Sequence, residues 1–137
     1  MSDEEAVWAV TTDGGLLRQL FGYYPTLHDS VIVSVEIFRA SDRIELTVDY
    51  SDMAEEDDRE LLSARIRFEW TGIELFDFPL GFEDLYGISF SKSGDKIRTD
   101  LEMWPGIFGA VISETVEAVL LQLDPGEPDI SPILRYR

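Results

Sequence analysis

Residues 21–38, FGYYPTLHDSVIVSVEIF, constrain the fold more than any other stretch. Pro25 fixes its own φ and biases Tyr24 away from helix, so the chain bends just before His28 and Asp29. From Ser30 the residues fall into two sets: Val31, Val33, Val35 and Ile37 on one side, Ser30, Ile32, Ser34, Glu36 and Phe38 on the other. Successive strand side chains point to opposite faces, so the first set predicts an apolar face on which a sheet is built.

The same period recurs downstream. Ile44, Leu46, Val48 and Tyr50 alternate with polar residues, and Ala40 to Arg43 reads as a hairpin turn between this run and the one before. Ala64, Ile66, Phe68 and Trp70 predict a third strand with Arg65, Arg67, Glu69 and Thr71 facing out; Gly72 permits a bend before 73–78 continue. Residues 79–87 read as an irregular loop or one helical turn. Ile88 and Phe90, then Ile97, Thr99, Leu101 and Met103, predict a hairpin closed by Ser91–Lys96. Residues 107–123 fit either period, and their β-branched content favours strands split near Glu114. At the N-terminus, 6–10 read as a short strand or frayed arm, with Trp8 implying a cover. Thr12 or Asp13 caps a short helix through Leu16, Leu17, Leu20 and Phe21, stopped by Gly22. The tail beyond Gly126 reads as extended or loose. The expectation is one α+β domain over 1–137, with an ordered core from about 7 to about 124. It consists mainly of a curved antiparallel sheet or open sandwich of six to eight strands, with one short N-terminal helix.

Charge narrows the function. The chain carries 28 acids against 11 bases, a net charge of −17. Such a field repels nucleic acid and anionic lipid, and it steers a basic partner in. No basic leader followed by an apolar run is visible, no stretch is long enough to span a bilayer, and there is no cysteine. A cytoplasmic location is expected, with no disulfide, thiol chemistry or thiolate metal site.

Catalytic constellations are thin. His28 is the only histidine, and Asp29 beside it on a strand would face the other way, so no triad forms there. His-Asp also occurs in metal-dependent phosphohydrolases, but those need further histidines. The simplest role for His28 is support at the strand entry, with catalysis or an interface as alternatives. The run Asp49, Asp52, Glu55, Glu56, Asp57, Asp58 and Glu60 could suggest a cation loop, yet its spacing misses the Asp-x-Asp-x-Asp-Gly pattern. It reads as a solvated loop or as a contact surface for a basic protein. Glu83-Asp84 and Asp100/Glu102 form carboxylate pairs without a setting that would make them acid and base. No cofactor or metal is expected. Tyr23, Tyr24, Tyr86 and Trp104 stand near acids, a mixture suited to protein binding.

Tyr24-Pro25-Thr26-Leu27-His28-Asp29-Ser30-Val31 resembles the strand opening of the immunity protein 50 family of bacterial polymorphic toxin systems. The resemblance continues through Arg65–Glu69, Ile73–Leu75 and the segment from Phe82 to Ile88, over roughly residues 16–125. It implies a cytoplasmic, non-catalytic antidote that binds a cognate toxin domain. Separately, a monomer or weak homodimer is expected. Pro25, His28 and Asp29 would form a structural motif. Asp49, Asp52, Glu55, Glu56, Asp57, Asp58, Glu83, Asp84, Tyr24 and Tyr86 are the expected contacts to a basic toxin. The alternative expectation is a small accessory subunit that associates with itself.

Overall fold

Alternating apolar residues become strands wherever a partner strand covers their polar backbone. β2 (Arg43–Ser51) buries Ile44, Leu46, Val48 and Tyr50, and β3 (Ser63–Asp77) buries Ala64, Ile66, Phe68 and Trp70. The two pair antiparallel from Arg43↔Thr71 to Ser51↔Ser63. The remaining elements are α1 (Asp3–Val10), α2 (Gly14–Phe21), β1 (Ser30–Phe38), β4 (Asp84–Ser93), β5 (Lys96–Met103), β6 (Ile107–Leu123) and β7 (Ile133–Tyr136). This computed structural model describes residues 2–25, 27–28, 30–51, 62–78, 84–103, 106–126 and 133–136. No helix among them is long and apolar enough to cross a membrane.

The strand order is β2-β3-β6-β5-β4-β1-β7, and β1 also pairs with β2. Six antiparallel strands therefore make a ring of hydrogen-bonded neighbours. It closes where Ser30 and Val31 of β1 meet Leu85 and Asp84 of β4. Further along the same edge of β1, Ser34 to Ile37 accept β7 as a parallel neighbour. Strand twist supplies the curvature that brings the ends of such a sheet together. The class is α+β with a strongly curved antiparallel sheet, as the alternation predicts.

Both helices pack against the sheet. α1 replaces the strand or arm expected at 6–10. Ser2 caps it by accepting the Glu5 amide at 3.2 Å, and three acids occupy the first turn, where the helix dipole favours them. Trp8 does have its cover: it stacks on Tyr24 at 5.6 Å and meets Phe68 and Phe90 edge-on. α2 ends at Gly22, whose φ of 84° is the left-handed stop expected there. Of its four predicted apolar contacts, only Leu17 and Phe21 are buried, while Leu16 and Leu20 face out. Asp13 sits at the N-cap but serves the sheet: its amide donates to Ala118 O and its carboxylate accepts the Leu120 amide at 2.7 Å. It thereby occupies a stretch of β6 edge that β5 does not reach.

Three further expectations are corrected. In β1 the pairing shifts between Ile32 and Ser34, so Val33 is an extra residue. This bulge exchanges the faces: Ser30 and Ile32 are buried before it, Val35 after it, and Val31 and Val33 lie on the outer side. β4 begins at Asp84, within the stretch read as a loop or helical turn, while 79–83 fall outside the described residues. β6 is one strand without a split. Its buried positions nevertheless change phase near Glu114, from 111 and 113 to 116 and 118, opposite Gly72 with its φ of 68°. In the tail, Ile133–Tyr136 take the extended one of the two forms read for it, as β7 paired with β1.

Candidate partner-binding faces

Register places two groups of side chains on the outside of the ring. On β1, β2, β3 and β6, four glutamates stand in line: Glu36 opposite Glu45, Glu45 opposite Glu69, and Glu69 opposite Glu117. Like charges directly across a sheet cost stability. Flanking bases offset part of that cost. The Nε of Arg43 lies 3.3 Å from Glu45 Oε1 and that of Arg67 lies 2.8 Å from Glu69 Oε1, as ion pairs whose N–H groups are not aimed at the oxygens. At the row's end, Glu117 accepts the Thr12 amide at 2.6 Å and the Thr12 hydroxyl as well.

Glu45 shows the strain of this arrangement. Burial raises its pKa above the ordinary value of 4.5; Glu69 and Glu36 push the same way, against the pull of Arg67 and Arg43. The folded state thus holds the proton more tightly than the unfolded chain. Stability is greatest below about pH 4.5 for this group and declines as pH rises through the elevated folded value. Glu45→Gln is expected to raise stability at pH 7 by about 0.5–1 kcal/mol, with the gain fading at pH 4. Paired thermal melts at the two pH values check this; an equal gain at both would locate the effect elsewhere.

The second group lies on β3, β6, β5 and β4. One row runs Gly87, Glu102, Phe108, and the next runs Ser89, Asp100, Ala110, Asp77. Phe108 is 67% exposed and Leu75, two residues before Asp77 on the same face, is 42% exposed. Gly87, Ile88, Ser89, Asp100, Glu102 and Phe108 line a hollow of about 210 Å³. Pairing shifts between Leu85 and Gly87, leaving Tyr86 as a bulged residue. Its ring stacks on His28 at 5.5 Å with the planes 7° apart.

Of the expected contact residues, Asp49, Asp84, Tyr24 and Tyr86 are among the described ones, and register sets Asp49 and Asp84 on either side of Val31. Asp49 is 9% exposed, and Arg65 holds both its oxygens, at 2.8 and 3.0 Å. That pairing raises the Arg65 pKa, mainly through the hydrogen bond to Asp49. Asp52, Glu55, Glu56, Asp57, Asp58 and Glu83 lie outside the described residues, as do Asp29 and Trp104. Asp84 opens β4 beside Val31. Tyr24 is half-buried between Trp8 and the Arg18 guanidinium, which lies 5.1 Å from its ring. Pro25 is buried and His28 exposed. At the strand entry, the amide and hydroxyl of Ser30 bond Leu27 O, with Leu27 fully buried at a left-handed φ of 63°.

Sequence reading overlooked Glu36, Glu45, Glu69 and Glu117 as a group, although three of the four stand at predicted outward positions. Only the register of non-consecutive strands aligns them. Among the described residues, no three His, Asp or Glu side chains are placed to hold a metal ion. No protein-family model, curated protein or solved structure matches the chain.

Proposed function

We propose that this chain is a non-catalytic binding protein of the immunity type, which neutralises a cognate toxin domain by covering a basic surface on it. The observation that carries the reading is the outer face of β3, β6 and β5, where exposed Phe108 and Leu75 stand among Asp77, Asp100 and Glu102. Aromatic anchors inside a charged surround are the pattern of surfaces that hold proteins. The net charge of −17 adds long-range attraction for a cationic partner. The toxin's working groove would be occluded without any reaction on this side of the interface.

The test is association with a basic toxin domain encoded beside the chain, followed by stopped-flow mixing across ionic strength. Raising salt from about 0.01 to 0.15 M shortens the screening length from roughly 30 to 8 Å. The association rate is expected to fall by about ten- to a hundredfold, while the dissociation rate changes little. Absence of both binding and protection from the toxin, or a rate indifferent to salt, would sink the reading. Exposed Leu75, Leu121 and Leu123 favour a second one, a self-associating accessory subunit. Concentration-dependent sedimentation without toxin protection would decide for it.

A further inference from the structure

We propose that the hollow beside Phe108 receives one arginine side chain of the basic partner, an inference that rests on the binding reading above and names its central contact. At about 210 Å³ the hollow is smaller than the roughly 300–1,000 Å³ of small-molecule sites, so it suits a single side chain better than a metabolite. Its chemistry is that of a guanidinium receptor. Phe108 and Glu102 are cross-strand partners, which sets an exposed ring next to a carboxylate. Gly87, on the other side of Glu102, contributes no side chain to crowd the space. Asp100 on the rim is already engaged: Arg98 Nε donates to its Oδ1 at 3.0 Å. Glu102 makes no hydrogen bond or ion pair among the described residues.

The chain holds a related combination of ring, carboxylate and guanidinium, with the arginine rather than the carboxylate as the ring's cross-strand partner. Phe38 and Arg43 are cross-strand partners, and the Arg43 guanidinium carbon lies 4.3 Å from the Phe38 ring centroid. Two residues on, Glu45 forms an ion pair with Arg43, its Oε1 3.3 Å from Nε, though that N–H is not aimed at the oxygen. Ring and carboxylate together thus hold an arginine on the outer sheet face. At Phe108 and Glu102 a ring and a carboxylate stand side by side, and among the described residues no arginine pairs with either. Arginine fits better than lysine because its planar fork can stack on the ring and bond the carboxylate at once.

The experiment is a titration of the isotopically labelled full chain with a blocked glycine-arginine-glycine peptide, followed by amide NMR. A second titration uses the peptide with citrulline, which keeps the shape and removes the charge. Saturable shifts are expected at Gly87, Ser89, Glu102 and Phe108 with arginine and not with citrulline. Phe108→Ala and Glu102→Gln should each weaken binding about two- to fivefold. Because both side chains are exposed, both variants should keep the wild-type melting temperature. Shifts centred on the Glu36–Glu117 row, no saturable shift, or a Phe108→Ala variant that titrates like wild type would overturn the proposal. The toxin domain then separates the two inferences. Salt-dependent binding unchanged by both substitutions removes the arginine receptor and leaves the binding protein, whereas loss of any toxin association removes the binding protein itself.

Discussion

Replacing Trp8 with alanine is expected to remove about 3–5 kcal/mol of stability, the usual cost of emptying a buried aromatic site. Trp8 is 1% exposed and makes three aromatic contacts, with Tyr24, Phe68 and Phe90. Each aromatic pair adds about 0.5–1.5 kcal/mol beyond burial. Because these contacts reach β3, β4 and the bend before β1, one truncation loosens α1 and the strand entry together. For a domain of this length the loss corresponds to a fall in melting temperature of roughly 10–20 °C. Trp8→Phe keeps most of the volume and should lose markedly less. Calorimetric melts of the two variants check the expectation; a Trp8→Ala midpoint within a few degrees of wild type would show that α1 is not part of the core.

Thr99→Val is expected to cost about 1–3 kcal/mol despite being nearly isosteric. Trp70 Nε1 donates to Thr99 Oγ1 at 2.9 Å, and both residues are fully buried. Trp70 lies on β3 and Thr99 on β5, with β6 between them in the sheet, so the bond crosses the inside of the ring. Valine leaves the indole N–H with no acceptor and no water to replace it. Adding Trp70→Phe removes that orphan donor, so the double variant should be more stable than the sum of the single costs predicts. Strict additivity in denaturant unfolding would mean that the bond contributes nothing.

Much of this interior was legible because the buried strands keep strict alternation. Ile44 to Tyr50 and Ala64 to Trp70 pack as their period requires, and Gly22 and Gly94 stop or turn the chain where their freedom is needed. The errors have local causes. Val33 is a β-branched residue in a run of β-branched residues, so nothing in its type announces a bulge; the shift shows only in pairing with Val48 and Thr47. In α1 the signal was present: Ser2-x-x-Glu5 is a helix-opening pattern, outweighed by the apolar run Ala6–Val10. β6 was ambiguous because its inward positions change parity at Glu114, which blurs a period of two into something nearer helical spacing. The candidate faces were harder still. Asp100 and Glu102 were visible as a pair, but Phe108 becomes their neighbour only through the register of β5 on β6.

The position of β6 between β3 and β5 also sets an order of assembly. As the chain leaves the ribosome, β1, β2 and β3 can zip together in sequence, and β4 and β5 can form their own hairpin. The far edge of β3 must wait for residues that emerge some forty positions later. Until then a fifteen-residue strand presents open backbone, the kind of edge on which nascent chains stick to one another. Glutamates and arginines along its outer face keep that half-built intermediate hydrated. Closure is a late, long-range event, and folding should be slow for so small a molecule.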